Sequence, residues 1–154
     1  RDWSSDVCSS DLKSDFVDLY QGNSGAGMSG MGSSSILKPN LHTLVFPEID
    51  FEVKVRVKAT RLDDFYEKYV PQSIPIDLLW LDLQGLEFRI IESHKNFLVK
   101  KVKFVQIEAS RVELYSNSFL FKDIHRIFNE INFKLIINRV GAVSGNALYK
   151  NLKY

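Results

Sequence analysis

The feature that most constrains the fold is a short, nearly continuous apolar run at residues 76–82, Ile-Asp-Leu-Leu-Trp-Leu-Asp. Such a run is typical of a strand buried on both faces of a parallel sheet, whereas a half-exposed strand alternates polar and apolar residues. A second run of this kind covers residues 102–108, and a helix is predicted at about 86–98 between the two. Because parallel strands need a crossover connection, the sequence predicts a β-α-β unit here.

The segments on either side extend this unit into an α/β pattern. Residues 51–57 put apolar side chains on one face and charged ones on the other, as expected of an amphipathic strand. A helix over 119–131 has apolar residues at helical spacing, with Ser118 as its predicted N-cap. The order of elements predicts an α/β sheet with parallel crossovers. The remaining predicted elements are a helix starting at Asp63–Asp64 and strands at 15–20, 133–138 and 146–150.

Composition narrows the function classes. The 154 residues are 45% apolar with a net charge of +1, which suits one globular domain and argues against a general nucleic-acid binder. No apolar run approaches the roughly 18 residues that span a bilayer. The lone cysteine forms no internal disulfide, and the spacing of the three histidines matches no common metal motif. We therefore expect a cytoplasmic protein with no metal, no nucleic-acid partner and no membrane span.

Residues 1–12 are predicted to be foreign to the protein. Ser4–Leu12 reads Ser-Ser-Asp-Val-Cys-Ser-Ser-Asp-Leu, which matches the translation of a sequencing-library adapter. The segment also lacks the apolar core of a secretory signal. We expect residues 13–154 to be the native part, and we expect the true N-terminus to be missing.

A glycine-rich segment follows the first predicted strand. Gly25-Ala-Gly27-Met-Ser-Gly30 matches the dinucleotide pattern G-x-G-x-x-G, and Asp50 lies twenty residues beyond it. That motif requires a helix to open at its third glycine, but the residues that follow are poor helix formers. The sequence favours a loop over 21–35 and keeps a nucleotide-dependent oxidoreductase as a lesser alternative. An extended Ser33–Lys38 would exclude that alternative.

Two carboxylates are expected at neighbouring strand ends. Asp82 begins the segment Asp82-Leu-Gln84-Gly85-Leu-Glu87 after the first apolar strand, and Glu108 ends the second. Ligands of open α/β sheets bind beyond the carboxyl ends of the strands, where such groups orient a hydroxyl, accept a proton or bind a cation. The alternative is that they contact backbone amides at helix starts. Spacing does not decide between these roles.

These pieces together resemble the FkbM-type methyltransferase family. The resemblance runs from about Ser33 to Asn151 and keeps the order in which the pieces occur in that family. The segments that carry it are Thr60-Arg-Leu-Asp-Asp-Phe65, residues 76–87, Val105-Gln-Ile-Glu108, Glu113-Leu-Tyr115, the 119–131 helix with Asn132-Phe133, and Asn146-Ala-Leu-Tyr149.

The resemblance implies the C-terminal part of a class I methyltransferase (Rossmann-like) sheet, with strands 4-5-7-6 contiguous and the last strand antiparallel, after an N-terminal β segment and a Gly/Ser loop. It implies transfer of a methyl group from S-adenosylmethionine to a hydroxyl of a small molecule or glycan. Methyl transfer requires alignment of the acceptor oxygen, and a base assists it. The residues expected near the reaction are Asp82 and Glu108 as catalytic groups, Asp82, Gln84 and Gly85 at the cofactor, and Ser33, Ser34, Ser35 and His42 in an acceptor-side loop.

Two departures from the family pattern bear on activity. Gln84 stands where the family commonly has glutamate, and the family's N-terminal half, with its glycine-rich cofactor turn, is absent. The glutamine lacks the charge that an acid/base or cation role at this position would use. Because the missing half holds the cofactor in the family, we expect residues 13–154 to be inactive and to bind S-adenosylmethionine weakly or not at all. The strand at 76–82 would have an open edge, which favours self-association. The rival prediction is a nonenzymatic α/β protein-binding module that uses the glycine loop and this edge.

Overall fold

The computed structural model describes residues 6–8, 16–24, 30–71 and 73–154, and it has the mixed α/β architecture predicted from the sequence. The N-terminal strands form one three-stranded sheet in the order β1-β3-β2, with β1 parallel and β2 antiparallel to β3. Its strands are β1 (Asp6–Cys8), β2 (Phe16–Ser24) and β3 (Ile49–Thr60).

The second sheet contains the two apolar runs. Its order is β4-β5-β7-β6; β4 and β5 are parallel, and β7 is antiparallel to both of its neighbours. Its strands are β4 (Ile76–Leu81), β5 (Val102–Ser110), β6 (Phe133–Val140) and β7 (Ser144–Asn151). The helices are α1 (His42–Val45), α2 (Leu62–Tyr69), α3 (Glu87–Ser93), α4 (Lys95–Lys101) and α5 (Phe121–Glu130), with a 3-10 turn at Gly30–Ser33.

The main core lies on one face of the second sheet. Inward side chains of β5 and β7 pack against apolar residues of α3, α4 and α5. The opposite face is open among the described residues: Leu78 is 50% exposed and Trp80 is 61% exposed. The prediction that residues 76–82 are buried on both faces was therefore wrong, because the described helices of this sheet cover one side of it. Within the described part of the chain, β4 pairs with β5 alone.

The helix predicted at about 86–98 is two helices that meet at His94. Backbone hydrogen bonds run through the junction, from His94 N to the Ile90 carbonyl at 3.1 Å and from Leu98 N to the His94 carbonyl at 2.9 Å. The buried His94 ring also contacts the Ile90 oxygen at 2.9 Å and Asp63 Oδ1 at 3.2 Å. A side chain that competes for a helix carbonyl is a recognised cause of a kink, and sequence periodicity does not reveal it.

The N-cap of α5 is Leu120, so the prediction of Ser118 was wrong. Ser118 still belongs to the preceding turn, since its backbone N donates to the Tyr115 carbonyl at 3.1 Å. The Asp123 carboxylate accepts the backbone N–H of Leu120 at 3.3 Å, which is the contact that the N3 side chain makes to the N-cap residue in a capping box.

The loop predicted over 21–35 is partly regular. β2 continues to Ser24, because Gln21, Asn23 and Ser24 pair with β3. Residues 25–29, which hold most of the dinucleotide-like motif, lie outside the described residues. After Gly30 a single 3-10 turn is followed by Ser35, which pairs with Tyr20, so the α-helix that the motif requires is absent there. In the described ranges, no helix is long and apolar enough to cross a membrane.

Asn151 joins the end of β7 to the C-terminal turn of α4. Its side-chain amide donates to the Val102 carbonyl at 2.9 Å and the Val99 carbonyl at 3.1 Å, and its side chain is buried. We expect Asn151→Leu to lower the free energy of unfolding by about 1–3 kcal/mol, because buried carbonyls lose their donor. Urea unfolding measures this. Asn96→Leu, at an exposed position of α4, is the control, and equal midpoints for N151L and the wild type would contradict the prediction.

Asp63 ties α2 to the junction between α3 and α4. Although partial burial opposes the change, hydrogen bonds from Arg61 and then the charge of His94 lower the pKa of Asp63 from 3.8 to about 2. The folded pKa lies below the unfolded one, so this stabilisation is complete above about pH 4 and is lost as the pH falls toward 2.

We expect Asp63→Asn to remove that stabilisation. Because the Asp63 side chain is 35% exposed, solvent screening reduces the effect to about 1 kcal/mol at pH 6, and it should vanish near pH 2. Urea unfolding of both proteins across this range measures the difference. Asp64→Asn, at the exposed neighbouring position, is the control. A D63N deficit that persists unchanged at pH 2 would contradict the assignment.

Candidate functional site

A cleft of about 330 Å³ lies at the carboxyl ends of β4 and β5. This is the edge at which open α/β sheets bind their ligands. The cleft brings together five residues that sequence analysis singled out, while Phe46 and Trp80 give it apolar walls. The five are Ser33, His42, Asp82, Gln84 and Glu108.

The turn after β4 positions the cleft wall. Gln84 and Gly85 both have left-handed backbone conformations, with φ of 50° and 102°. A Cβ at Gly85 would lie 3.0 Å from the Ser118 Cβ and 3.1 Å from Leu37 Cδ1, so this position needs glycine for both conformation and space. Gly85 thus supports the turn and is absent from the cleft lining.

The Glu87 carboxylate closes this turn. It accepts the backbone N–H of Leu83 at 2.7 Å and that of Gly85 at 3.0 Å, and it is buried. Burial raises the pKa of Glu87 to about 7, with the backbone amides opposing the rise. Contact with backbone amides, the alternative left open for Asp82 and Glu108, is thus the role of Glu87.

Asp82 and Glu108 meet at the Gln84 side chain. Gln84 Nε2 donates to Asp82 Oδ1 at 2.6 Å and to Glu108 Oε2 at 2.7 Å. Burial and then the neighbouring Asp82 charge raise the pKa of Glu108, while the Gln84 hydrogen bond opposes the rise. The arrangement gives the cleft a pair of adjacent carboxylates, one exposed and one half-buried.

Tyr115 connects this pair to the segment after the glycine loop. Its hydroxyl lies 2.9 Å from Gln84 Oε1 and 2.7 Å from the Ser33 carbonyl, both of which are acceptors. Burial raises the pKa of Tyr115, so the hydroxyl keeps its proton at neutral pH. Glu113-Leu-Tyr115 was part of the family pattern, but the contact of Tyr115 with Gln84 joins residues 31 positions apart and has no local sequence signal.

The three serines predicted for an acceptor-side loop have different surroundings. Ser33 lines the cleft. Ser34 Oγ accepts the backbone N–H of Gly22 at 3.1 Å. Ser35 is buried; its Oγ donates to the Gln84 carbonyl at 2.8 Å and accepts the Leu37 N–H at 3.0 Å, so it supports the turn.

His42 begins helix α1 and is buried, although the sequence had suggested a loop. Its ring centroid lies 4.9 Å from that of Phe46, 5.1 Å from Phe51 and 5.2 Å from Tyr115. Nδ1 has no hydrogen-bond partner among the described residues. Burial lowers the pKa of His42, which favours the neutral ring at the cleft wall.

A larger cavity of about 590 Å³ lies elsewhere, beside α2 and the α3–α4 junction. The Asp63 and His94 side chains in its lining already pair with each other. The described part of the chain contains no group of three or more His, Cys, Asp or Glu residues that could hold a metal ion. The carboxylate-lined cleft is therefore the stronger candidate.

Comparison with known proteins gives consistent results. A family model described as the methyltransferase FkbM domain matches residues 8–135. The chain is 31% identical over 121 residues to a protein named 2-O-methyltransferase NoeI from Sinorhizobium fredii (strain NBRC 101917 / NGR234). This match covers 79% of the chain and 48% of the relative, so the chain spans about half the length of that protein. No solved structure gives a significant match.

The buried Glu87 carboxyl should make stability fall as the pH rises. Its folded pKa, about 7, lies above its ordinary value of 4.5, so the native state holds this proton more tightly than the unfolded state between those values. Glu87→Gln removes the ionisation and leaves one backbone N–H without an acceptor. We expect E87Q to be less stable than the wild type by about 1–2 kcal/mol at pH 5.

That difference should narrow or reverse by pH 8, because only the wild type must ionise a buried group. Urea unfolding at intervals from pH 5 to 8 measures it. Glu92→Gln, at an exposed position of the same helix, is the matched control. Parallel stability curves for E87Q and the wild type would show that Glu87 does not titrate in this window.

Proposed function

The chain belongs to the FkbM methyltransferase family, and we propose that its cleft is part of the site of an S-adenosylmethionine-dependent O-methyltransferase. The acceptor in this proposal is a hydroxyl group of a small molecule or glycan. The observation that carries it is the pair of carboxylates, Asp82 and Glu108, at the carboxyl ends of two parallel strands. The match covers 48% of the curated relative's length, so the activity of a whole protein is part of what we propose here.

The sheet supports this proposal. The order β4-β5-β7-β6, with β7 antiparallel to its neighbours, agrees with a class I, Rossmann-like methyltransferase sheet in which these are strands 4, 5, 7 and 6. In such a sheet the cleft beyond β4 and β5 is the expected position of bound ligands.

The residues of the cleft suit the cofactor. When bound, S-adenosylmethionine supplies an electrophilic methyl group on a positively charged sulfur. The carboxylates of Asp82 and Glu108 favour a positive charge nearby. Asp82 would hold the cofactor, and Gln84 would fix Asp82 on a turn that Gly85 makes possible. We assign these residues to the cofactor because the carboxylate oxygens would attract its positively charged sulfur.

Glu108 is the proposed proton acceptor for the hydroxyl. Methyl transfer to a hydroxyl group releases the hydroxyl proton, and Glu108 would accept that proton. A raised pKa makes a carboxylate a stronger base, which suits Glu108 better than an ordinary surface carboxylate. Asp82 orients the hydroxyl, and Ser33 and His42 lie on the acceptor side of the same cleft. Ser34 and Ser35 contribute to that side by holding its backbone.

A methyl-transfer assay tests the base, in this chain or, where this chain is inactive, in a longer form of the protein. With S-adenosylmethionine and a panel of polyhydroxylated acceptors, Glu108→Gln should lower kcat by about 10²–10⁴, the usual contribution of a general base. Asp77→Asn, a matched change on the exposed edge strand, should leave the rate unchanged, since Asp77 is 83% exposed and pairs with Lys103. Full activity in E108Q would remove Glu108 from the base role.

Binding is tested separately by amide chemical-shift changes on addition of S-adenosylhomocysteine. We expect the shifts to cluster at Asp82–Gly85 and Glu108, and we expect weak affinity for this chain by itself. Shifts confined to the cavity beside His94, or no methyl transfer by this chain and by any longer form of it, would overturn the proposed function.

A further inference from the structure

Both amide hydrogens of the Gln84 side chain have an acceptor, and its oxygen lies near the Tyr115 hydroxyl, whose single proton it shares with the Ser33 carbonyl. Its two amide hydrogens are directed at Asp82 Oδ1 and Glu108 Oε2, at 2.6 and 2.7 Å. Its oxygen lies 2.9 Å from the Tyr115 hydroxyl. These partners define the amide orientation, because a flipped amide would set its oxygen against two carboxylates.

The Gln84 backbone is held as firmly as its side chain. Its φ of 50° lies in the left-handed region, next to Gly85. Ser35 Oγ donates to its carbonyl at 2.8 Å, and Glu87 binds the amides of the two adjacent residues. The amide is therefore pre-positioned between the carboxylates by contacts from four segments of the chain.

Two adjacent carboxylates repel each other unless a donor lies between them. Gln84 supplies that donor without a charge, and hydrogen bonds to ionised acceptors are stronger than those between neutral groups. Without the amide, repulsion would separate the carboxylates or force one of them to take up a proton.

We propose that Gln84 is a positioning residue, whose amide holds Asp82 and Glu108 as a fixed pair at the cleft wall. Its bearing on methyl transfer rests on the function proposed above, but the geometry of the pair does not. Glu108 then faces the acceptor in one orientation, and its basicity is set partly by the Gln84 hydrogen bond. Loss of the amide raises the pKa of Glu108, because a donor to the charged form is removed.

The titratable groups around Glu108 determine whether a change in its pKa can be attributed to Gln84. The titratable groups that face Glu108 come from four parts of the chain, and none of them is substituted in a Gln84 variant. They are Asp82 and Glu87 from the turn after β4, Tyr115 from the segment after β5, and His42 across the cleft, with Arg139 of β6 beyond Asn146.

Carbon-13 carboxyl NMR titration of the whole chain tests the proposal. Gln84→Met keeps the length of the side chain and removes both donors. We expect the Glu108 midpoint to rise by about 1 pH unit or more. Gln106→Met, a matched change on the same face of β5, should leave the midpoint in place. A Glu108 midpoint that agrees with the wild type in a folded Q84M would overturn the proposal.

If Q84M does not fold, Gln84→Asn provides a second test of the same role. Asparagine tolerates the left-handed conformation, but its amide is one methylene shorter and cannot bridge both carboxylates. It should raise the Glu108 midpoint in the same direction, and an unchanged midpoint in Q84N would likewise overturn the proposal.

The titration separates this proposal from the proposed function, because it needs neither cofactor nor acceptor. A raised midpoint with no methyl transfer by this chain and by any longer form of it would leave the positioning role intact and remove the enzymatic one. Where methyl transfer occurs, the ascending limb of the pH–kcat profile of Q84M should move to higher pH by the same amount, since Glu108 must be ionised to act. An unmoved limb would exclude Gln84 from setting the basicity of Glu108.

Discussion

The candidate site depends on the acceptor that the Glu87 carboxylate provides for the turn after β4. A turn with two successive left-handed residues points backbone amides inward, and buried amides without acceptors are costly. Glu87 satisfies two of them from the first position of α3. The same contact fixes Gln84, and Gln84 in turn holds Asp82 and Glu108. The buried Glu87 carboxyl, whose pKa is raised, thus stabilises the turn that positions the more exposed polar side chains of the cleft.

One face of the second sheet is covered and the other is open, and this difference explains where the site lies. One face is closed by α3, α4 and α5, which anchor the turn and the end of β5 through the core. The other face keeps Leu78 and Trp80 exposed within the described part of the chain. The carboxyl ends of β4 and β5 lie at the border between them, where polar groups can reach a ligand while their backbone stays anchored.

Local sequence patterns predicted most elements of this fold, and long-range contacts account for the errors. Alternation and apolar runs identified β3, β4 and β5, because those patterns depend on neighbours along the chain. At the break in the predicted helix, the His94 ring contacts Asp63, 31 residues away, as well as the Ile90 carbonyl. The exposure of Trp80 depends on which elements cover the sheet. Asp82 and Glu108 were predicted at neighbouring strand ends, but the Gln84 amide that joins them belongs to tertiary structure.

The choice of a neutral donor at Gln84 has a chemical consequence for the proposed base. A lysine or arginine at this position would hold two carboxylates more tightly, but a full positive charge would also lower the pKa of Glu108 much further. A carboxylate with a lower pKa is a weaker proton acceptor. An amide opposes the repulsion between Asp82 and Glu108 while burial remains the largest influence on the pKa of Glu108. Gln84 therefore sets the geometry of the pair through two hydrogen bonds and sets part of the basicity of Glu108 through one of them, while burial has the larger influence on that basicity.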